Sequence, residues 1–372
     1  MDLDVGRARV MGYRIAATGL ADRAETRPSK LAVLGLGVQD TPYGSARAAL
    51  AARTTAAVDD PALDDDGLVL VWGARGAPHL YRRGDIPATA RALWPLDDAD
   101  ATARIANPRI AEGARLGLAA FTAAAEAMRE VVTGPTSKGE LSTEVSARVP
   151  ESLTYDCGPC GARHVSGALF QQVGAAAGVR VLPRGRNTEL APLDDRADVP
   201  AAAAGTPELI RTYLRLLGPA TPADAATYLG TTRARIAPAW PDDLAEVRVD
   251  GHRAWLPADR VDALRDAPPS EAVRLLTVRD PLLQARDRDV LVPDRARQKA
   301  LWRPVGAPGA VLANDEIAGT WRARATSRAL AVTVTPFAPL PRATAAALDR
   351  EAHLLATARG LPAATLTITE PA

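Results

Sequence analysis

Apolar residues recur at helical spacing in Pro207-Glu208-Leu209-Ile210-Arg211-Thr212-Tyr213-Leu214-Arg215-Leu216-Leu217, and Gly218-Pro219 ends the run. Thr221-Pro222-Ala223-Asp224 predicts a second helix, with Thr221 as N-cap, Pro222 at the first helical position and Asp224 in the first turn, where the amides favour negative charge. A third helix is predicted from Thr231 at least as far as Ile236. Residues 246–249 and 252–256 read as strands around Asp250-Gly251, a strong two-residue hairpin signal. Helix, helix-turn-helix and hairpin together make the winged-helix layout, in which one helix can enter a DNA groove and the hairpin can touch the backbone.

A second copy runs through 116–198. A helix is predicted over 116–132, a break at Gly134-Pro135-Thr136-Ser137, a short helix over 138–145 and another over 164–177, which Gly178 ends. Strands 179–183 and 187–190 then flank Arg184-Gly185-Arg186, a wing with positive charge at its tip. A degraded copy stands at the front. There, 29–37 predicts a short buried helix capped by Ser29, which stops because Pro42 disfavours helix at Thr41. Residues 45–53 form the next helix, and the acidic stretch 59–66 reads as a solvated loop. Strand 67–75 turns at Gly76 and returns over 78–83 as a first wing, with Trp72 in the core. From Glu271 the pattern changes. A charged loop over 281–289 precedes strands 310–313, 316–322 and 329–334, and 341–359 predicts a closing amphipathic helix. The alternation in 330–334 suits a half-buried antiparallel sheet.

Composition narrows the function classes. The chain has 372 residues, enough for several domains, and is 47% hydrophobic and 24% charged, as expected of a soluble globular protein. A net charge of +1 argues against binding polyanions through overall field, so any nucleic-acid surface has to be a local patch. Almost all the positive charge is arginine, which suits bidentate phosphate contacts. No signal peptide opens the chain and no apolar run is long enough for a membrane span, so a cytoplasmic location is expected. Two cysteines in one short loop exclude a disulfide framework.

Several motifs occur in a fixed order. Leu36-Gly37-Val38-Gln39-Asp40 is followed by Trp72-x-x-Arg75-Gly76-x-x-His79-Leu80-x-x-x-Gly84-Asp85. Then come Arg215-Leu216-Leu217-Gly218-Pro219-Ala220-Thr221-Pro222-Ala223-Asp224, Arg274-Leu275-Leu276-Thr277-x-x-Asp280-Pro281 and Ile317-Ala318-Gly319-Thr320-Trp321-Arg322. Each is modest alone, but in this order over nearly the whole chain they resemble the bacterial tandem winged-helix DNA-binding family that includes the AlkZ-type alkylpurine and crosslink DNA glycosylases. The resemblance implies an α+β fold. It comprises three tandem winged-helix units over 1–110, 111–198 and 199–268, then a β-rich, barrel-like C-terminal domain with a closing helix over 269–372, arranged around a DNA-binding concavity. It also implies hydrolysis of the N-glycosidic bond of alkylated purines in double-stranded DNA.

In that family two glutamines separated by one apolar residue are catalytic. The second maps onto Gln39; the first maps onto Gly37, which has no side chain. The glycosidic bond of an N7-alkylated guanine is already weakened by the positive charge on the base. A glutamine amide can orient water but is too weakly basic to deprotonate it, so Asp40 is the candidate base or electrostatic partner. Capping and turn chemistry is the competing reading for Gln39 and Asp40. Candidate DNA contacts are Arg75, His79, Tyr81 and Arg82 in the first wing and Arg184 and Arg186 in the second. Arg322, Arg324 and Arg328 are the candidates in the C-terminal part, where a solvated strand face is the alternative.

Cys157-Gly158-Pro159-Cys160 with His164 leaves three readings: an inert loop, three of the four ligands of a zinc site, or a dithiol pair outside the βαβ context such pairs require. No phosphate-cradling glycine loop is present, so no nucleotide cofactor is expected, and the protein is expected to be a monomer. The expected function is that of a DNA-binding winged-helix protein acting as a monofunctional glycosylase. The alternatives are a non-catalytic lesion binder or regulator lacking the first glutamine, and a protein-interaction module whose wings touch no DNA.

Overall fold

The computed structural model describes residues 3–159, 161–184 and 187–371. The chain divides into two compact units, one of Met1–Gly67, Arg211–Asp224 and Asp242–Ala372, the other of Leu68–Ile210 and Ala225–Pro241. Both mix helices with antiparallel sheet, so the expected α+β class holds.

In the first unit, strands Leu244–Val249 and His252–Pro257 pair antiparallel around Asp250-Gly251. Both turn residues take positive φ, 48° and 79°, which is what a type I′ hairpin turn requires. The N-terminal strand Asp4–Val5 adds to this hairpin in parallel. Helix Arg7–Ala17 follows, and its Val10 and Tyr13 are buried with Val247, Ala254, Leu256 and Leu264. At the start of helix Pro222–Leu229, Asp224 N donates to Thr221 Oγ1 at 3.3 Å while Thr221 N donates to the Asp224 carboxylate at 2.9 Å. These reciprocal bonds satisfy amides that the first helical turn leaves unpaired.

The C-terminal sheet of the same unit has five strands, Val273–Leu276, Gly309–Ala313, Glu316–Ala325, Leu330–Pro336 and Ala364–Ile368, in that order. The last joins in parallel, the others antiparallel. Among the described residues the sheet is open, with two different edge strands, and the expected barrel closure does not occur. One face is covered instead by helix Arg342–Ala358. Its buried Leu348, Ala352, Leu355 and Ala356 recur at helical spacing and pack with Leu330, Val332, Val334 and Trp321. A helix covering one face hides that apolar surface without the strand tilt a barrel needs.

Two buried ion pairs tie the first unit together. Arg53 and Asp280 are both inaccessible and join through two 2.8 Å bonds, and Arg53 also donates to the carbonyls of Thr18 and Ala49. Arg14, equally inaccessible, reaches Asp287 and the carbonyls of Gly218 and Pro219.

In the second unit, strands Pro78–Arg82, Leu68–Trp72, Val179–Arg184, Asn187–Pro192 and Thr136–Ser137 lie in that order, all antiparallel. The two hairpins read as separate wings therefore share a sheet, joined where Val71 pairs with Arg180. Helix Leu118–Val131 supplies Phe121, Ala124 and Met128 to one core that also holds Trp72, Trp94, Phe170 and Leu190. Helix Lys138–Ser146 begins with a capping box between Ser137 and Glu140.

Local expectations fail at four places. Residues 29–37 form two 3₁₀ turns, Pro28–Lys30 and Ala32–Gly35, and the Ser29 backbone N–H and hydroxyl donate to Asp66 instead of capping a helix. The acidic stretch 59–66 is mostly a short helix, Asp60–Asp65, because the Asp59 carboxylate accepts the Ala62 N–H at 2.9 Å. His164 lies in strand Ala162–Val165, and the helix that follows is only Gly167–Gln172. The supposed charged loop after Asp280 opens with a 3₁₀ turn, Pro281–Gln284, whose apolar residues are buried.

Candidate active site and phosphate-contact residues

Gln39 belongs to a two-residue strand, Val38–Gln39, and Asp40 opens the loop leading to helix Ser45–Ala51. Gly37 turns the chain into this strand with φ of 73°, a conformation that L side chains rarely adopt. Gln39 is 8% exposed, and its carbonyl accepts the Ser45 hydroxyl at 3.3 Å. Among the described residues its side-chain amide has no hydrogen-bond partner. The residue as a whole is nearly buried, but its amide atoms are not sealed, so a water can reach them.

Asp40 is 7% exposed and accepts the Ala46 N–H at 2.8 Å, which makes it a helix-end acceptor as the turn reading anticipates. Burial raises its pKa above the usual carboxylate value, while the backbone donors and Arg47 pull it back in part. A raised pKa brings a carboxylate closer to the range of a general base. It also means that Asp40 favours the fold when protonated, and that this contribution is lost as pH rises through its folded value. Asp40→Asn, whose side-chain oxygen can still accept the Ala46 N–H, is therefore expected to leave thermal stability at neutral pH equal to or above that of the unaltered protein. Scanning calorimetry of the two proteins checks this.

The same unit contains a cavity of about 230 Å³ lined by Pro42, Ser45, Thr277, Trp321, Arg322 and Arg359 among others. The loop that Asp40 opens thus supplies Pro42, the helix it leads to supplies Ser45, and Arg322 supplies a guanidinium. Arg322 and Arg324 project from the same face of strand Glu316–Ala325 and are exposed. Arg328 is also exposed.

In the second unit the first-wing residues differ in burial, Arg75 being exposed and His79 and Tyr81 enclosed. His79 and Tyr81 are each 2% exposed, with ring centroids 5.9 Å apart. Arg75 takes positive φ, donates to the Tyr228 carbonyl and lies over the Tyr228 ring, with 5.3 Å from guanidinium to centroid. Arg82 is half-buried and pairs with Asp85 at 3.1 Å. Alternation along a strand cannot reveal burial on both faces, which is why the sequence offers His79 and Tyr81 as candidate contacts although the fold encloses them.

Burial pushes the His79 pKa from 6.5 down to about 4, and its Nδ1 lies 2.8 Å from the Ala77 carbonyl. A bond to a carbonyl requires Nδ1 to carry the proton, so Nε2 of the neutral ring is an acceptor. The neutral ring is the form the fold prefers. Its contribution is present above the unfolded pKa and fades as pH falls from about 6.5 towards 4, amounting in full to about 3 kcal/mol. Denaturant unfolding at pH 7 and pH 5 is expected to show a steeper acid loss for the unaltered protein than for His79→Asn. Equal losses would mean that the ring titrates normally.

Arg184 ends strand Val179–Arg184, but its side chain and the whole of Arg186 lie outside the described residues, as does Cys160. Cys157 and His164 stand two positions apart on the same face of the hairpin formed by Thr154–Cys157 and Ala162–Val165. The His164 Nδ1 is 3.3 Å from the Ser142 hydroxyl. No helix of the described residues is long and apolar enough to cross a membrane.

Sequence reasoning assigned Thr277 and Arg359 no functional role. The signal for Thr277 was its place inside the Arg274-to-Pro281 motif. Arg359 carried none, being only the last residue of an amphipathic pattern.

A family model described as DNA glycosylase AlkZ-like matches residues 33–358. Among solved structures, the Streptomyces sahachiroi DNA glycosylase AlkZ has a similar fold, with a TM-score of 0.75 and 21% identity, covering 99% of this chain and 100% of that one. None of the curated proteins matches.

Proposed function

We propose a function from one premise: the chain belongs to the AlkZ-like DNA glycosylase family. On our reading it binds double-stranded DNA as a cytoplasmic monomer and hydrolyses the N-glycosidic bond of alkylated purines without a cofactor. The three helix-and-hairpin segments act as tandem winged helices.

The observation that carries the catalytic reading is a Gln39 amide with no protein partner among the described residues, followed in the chain by a carboxylate whose pKa burial raises. An N7-alkylated purine leaves as a neutral base, so the enzyme has little leaving-group chemistry to do. It has to place a water at the anomeric carbon and offset the charge of an oxocarbenium-like state. The Gln39 amide orients that water through one donor and one acceptor. Asp40 takes its proton and, while ionised, stabilises the developing cation.

Gly37 favours a second reading, a lesion-binding protein that does not cut. The family's first glutamine maps there, and the backbone at φ 73° suits glycine.

Incubation with duplex carrying a single 7-methylguanine separates the two. Release of the free base with formation of an abasic site supports hydrolysis. Tight binding of the modified duplex without release supports the sensor, and no affinity for duplex at low salt removes both. If hydrolysis occurs, Asp40→Asn is expected to slow it by about 10²–10⁴-fold, the usual contribution of a positioned base. An unchanged single-turnover rate would confine Asp40 to its helix-capping role.

A further inference from the structure

The cavity beside the Gln39–Asp40 loop has a composition that the hydrolytic reading does not use. None of its lining residues is acidic. Two are arginines, and among the described residues neither pairs with a carboxylate: Arg322 donates to the Gly306 carbonyl at 2.5 Å, and Arg359 lies over the Trp321 ring at 5.9 Å. Both are exposed, so they stand at the mouth, while Thr277, Ser45, Gly309 and Trp321 are buried and form the walls. The Thr277 side chain is 3% exposed, and its Oγ1 is sealed behind the wall. Gly309 permits the arrangement, because a Cβ there would collide with the Trp321 indole, whose Nε1 donates to the Leu276 carbonyl at 2.8 Å.

We propose that this cavity is an oxyanion site for a phosphate group, held by Arg322 and Arg359 at the mouth. Two guanidinium groups without carboxylate partners, beside a cavity lacking carboxylates, leave a positive potential that favours an incoming anion. Phosphate matches the planar donor fork of arginine. The indole face gives the sugar or ring attached to the phosphate an apolar wall. The volume of about 230 Å³ is below the range of drug-sized pockets, as fits a phosphate with part of its substituent. The phosphate could belong to the backbone of a DNA strand or to a free ion or nucleotide. The backbone assignment rests on the proposed function, whereas the oxyanion site itself does not.

Duplex affinity of the full chain is to be measured from 50 to 200 mM salt, and inorganic phosphate and a deoxynucleoside monophosphate are to be titrated by calorimetry. Arg359→Ala and Arg322→Ala are compared with the unaltered protein, and thermal midpoints establish that each variant folds. If the site holds a DNA phosphate, Arg359→Ala and Arg322→Ala each weaken duplex binding about tenfold and reduce the log-log salt slope by about one. If it holds a free phosphate, inorganic phosphate or the nucleotide binds the unaltered protein, both variants lose that binding, and the duplex salt slope stays the same. Folded variants that match the unaltered protein in every titration overturn the proposal. That result leaves the glycosylase reading intact if 7-methylguanine is still released. Absence of duplex binding by the unaltered protein defeats the glycosylase reading, and the phosphate titrations still decide the cavity.

Discussion

Asp280→Ala is expected to destabilise the first unit by about 3–5 kcal/mol, the effect of stripping one partner from a buried ion pair. The reason lies in Arg53. Its guanidinium is inaccessible, can hardly lose its proton, and would keep the two carbonyl bonds to Thr18 and Ala49 but lose both carboxylate bonds. The thermal midpoint should fall by roughly 10 °C for a protein of this size. The double variant Arg53→Met, Asp280→Leu removes the charges together and should recover much of that loss, since an apolar pair of similar volume often replaces a buried ion pair at little cost. Thermal unfolding of the three proteins tests this. A drop of under about 1 kcal/mol for Asp280→Ala would show that water reaches Arg53 and that the pair is not sealed.

Gln39→Ala is expected to reduce the single-turnover release of 7-methylguanine by at least about 10²-fold, with little loss of duplex affinity. The separation follows from the proposed role. An amide that positions water acts on the transition state, and misplacing a nucleophile by an ångström costs about that factor. Folding should suffer little, because among the described residues the amide has no partner to lose. Gln39→Glu is informative beside it. A carboxylate next to Asp40 would put two like charges in a buried loop, raising at least one pKa further and depressing stability as pH rises.

How far the sequence reached follows from what kind of signal each element carries. Turn chemistry is local, so it read well. Asp250-Gly251 fixed its hairpin, the Thr221–Asp224 cap formed, and the helix over 341–359 became Arg342–Ala358. Long-range pairing is not local. Nothing in 179–184 says that it will pair with Leu68–Trp72, or that Ala364–Ile368 will close the last sheet in parallel. The barrel expectation failed for the same reason, since closure depends on register between distant strands.

The site was half legible. The order of motifs pointed to Gln39 and Asp40, but arginines look alike in sequence. Arg14 and Arg53 are inaccessible ion-pair members, whereas Arg322, Arg324 and Arg328 are exposed. Burial separates these classes, and burial is set by the packed chain. His79 and Tyr81 show the converse, candidate DNA contacts that the fold encloses.

The central claim is that Gln39 holds the water that cleaves an N-glycosidic bond. Its most direct test is the single-turnover yield of free 7-methylguanine from a defined duplex, for the unaltered protein and Gln39→Ala side by side, with enzyme in excess of DNA. The account predicts base release by the first and a rate at least about 10²-fold lower for the second, both binding the duplex with similar affinity. Equal rates for the two proteins, or duplex binding with no release by either, would contradict it.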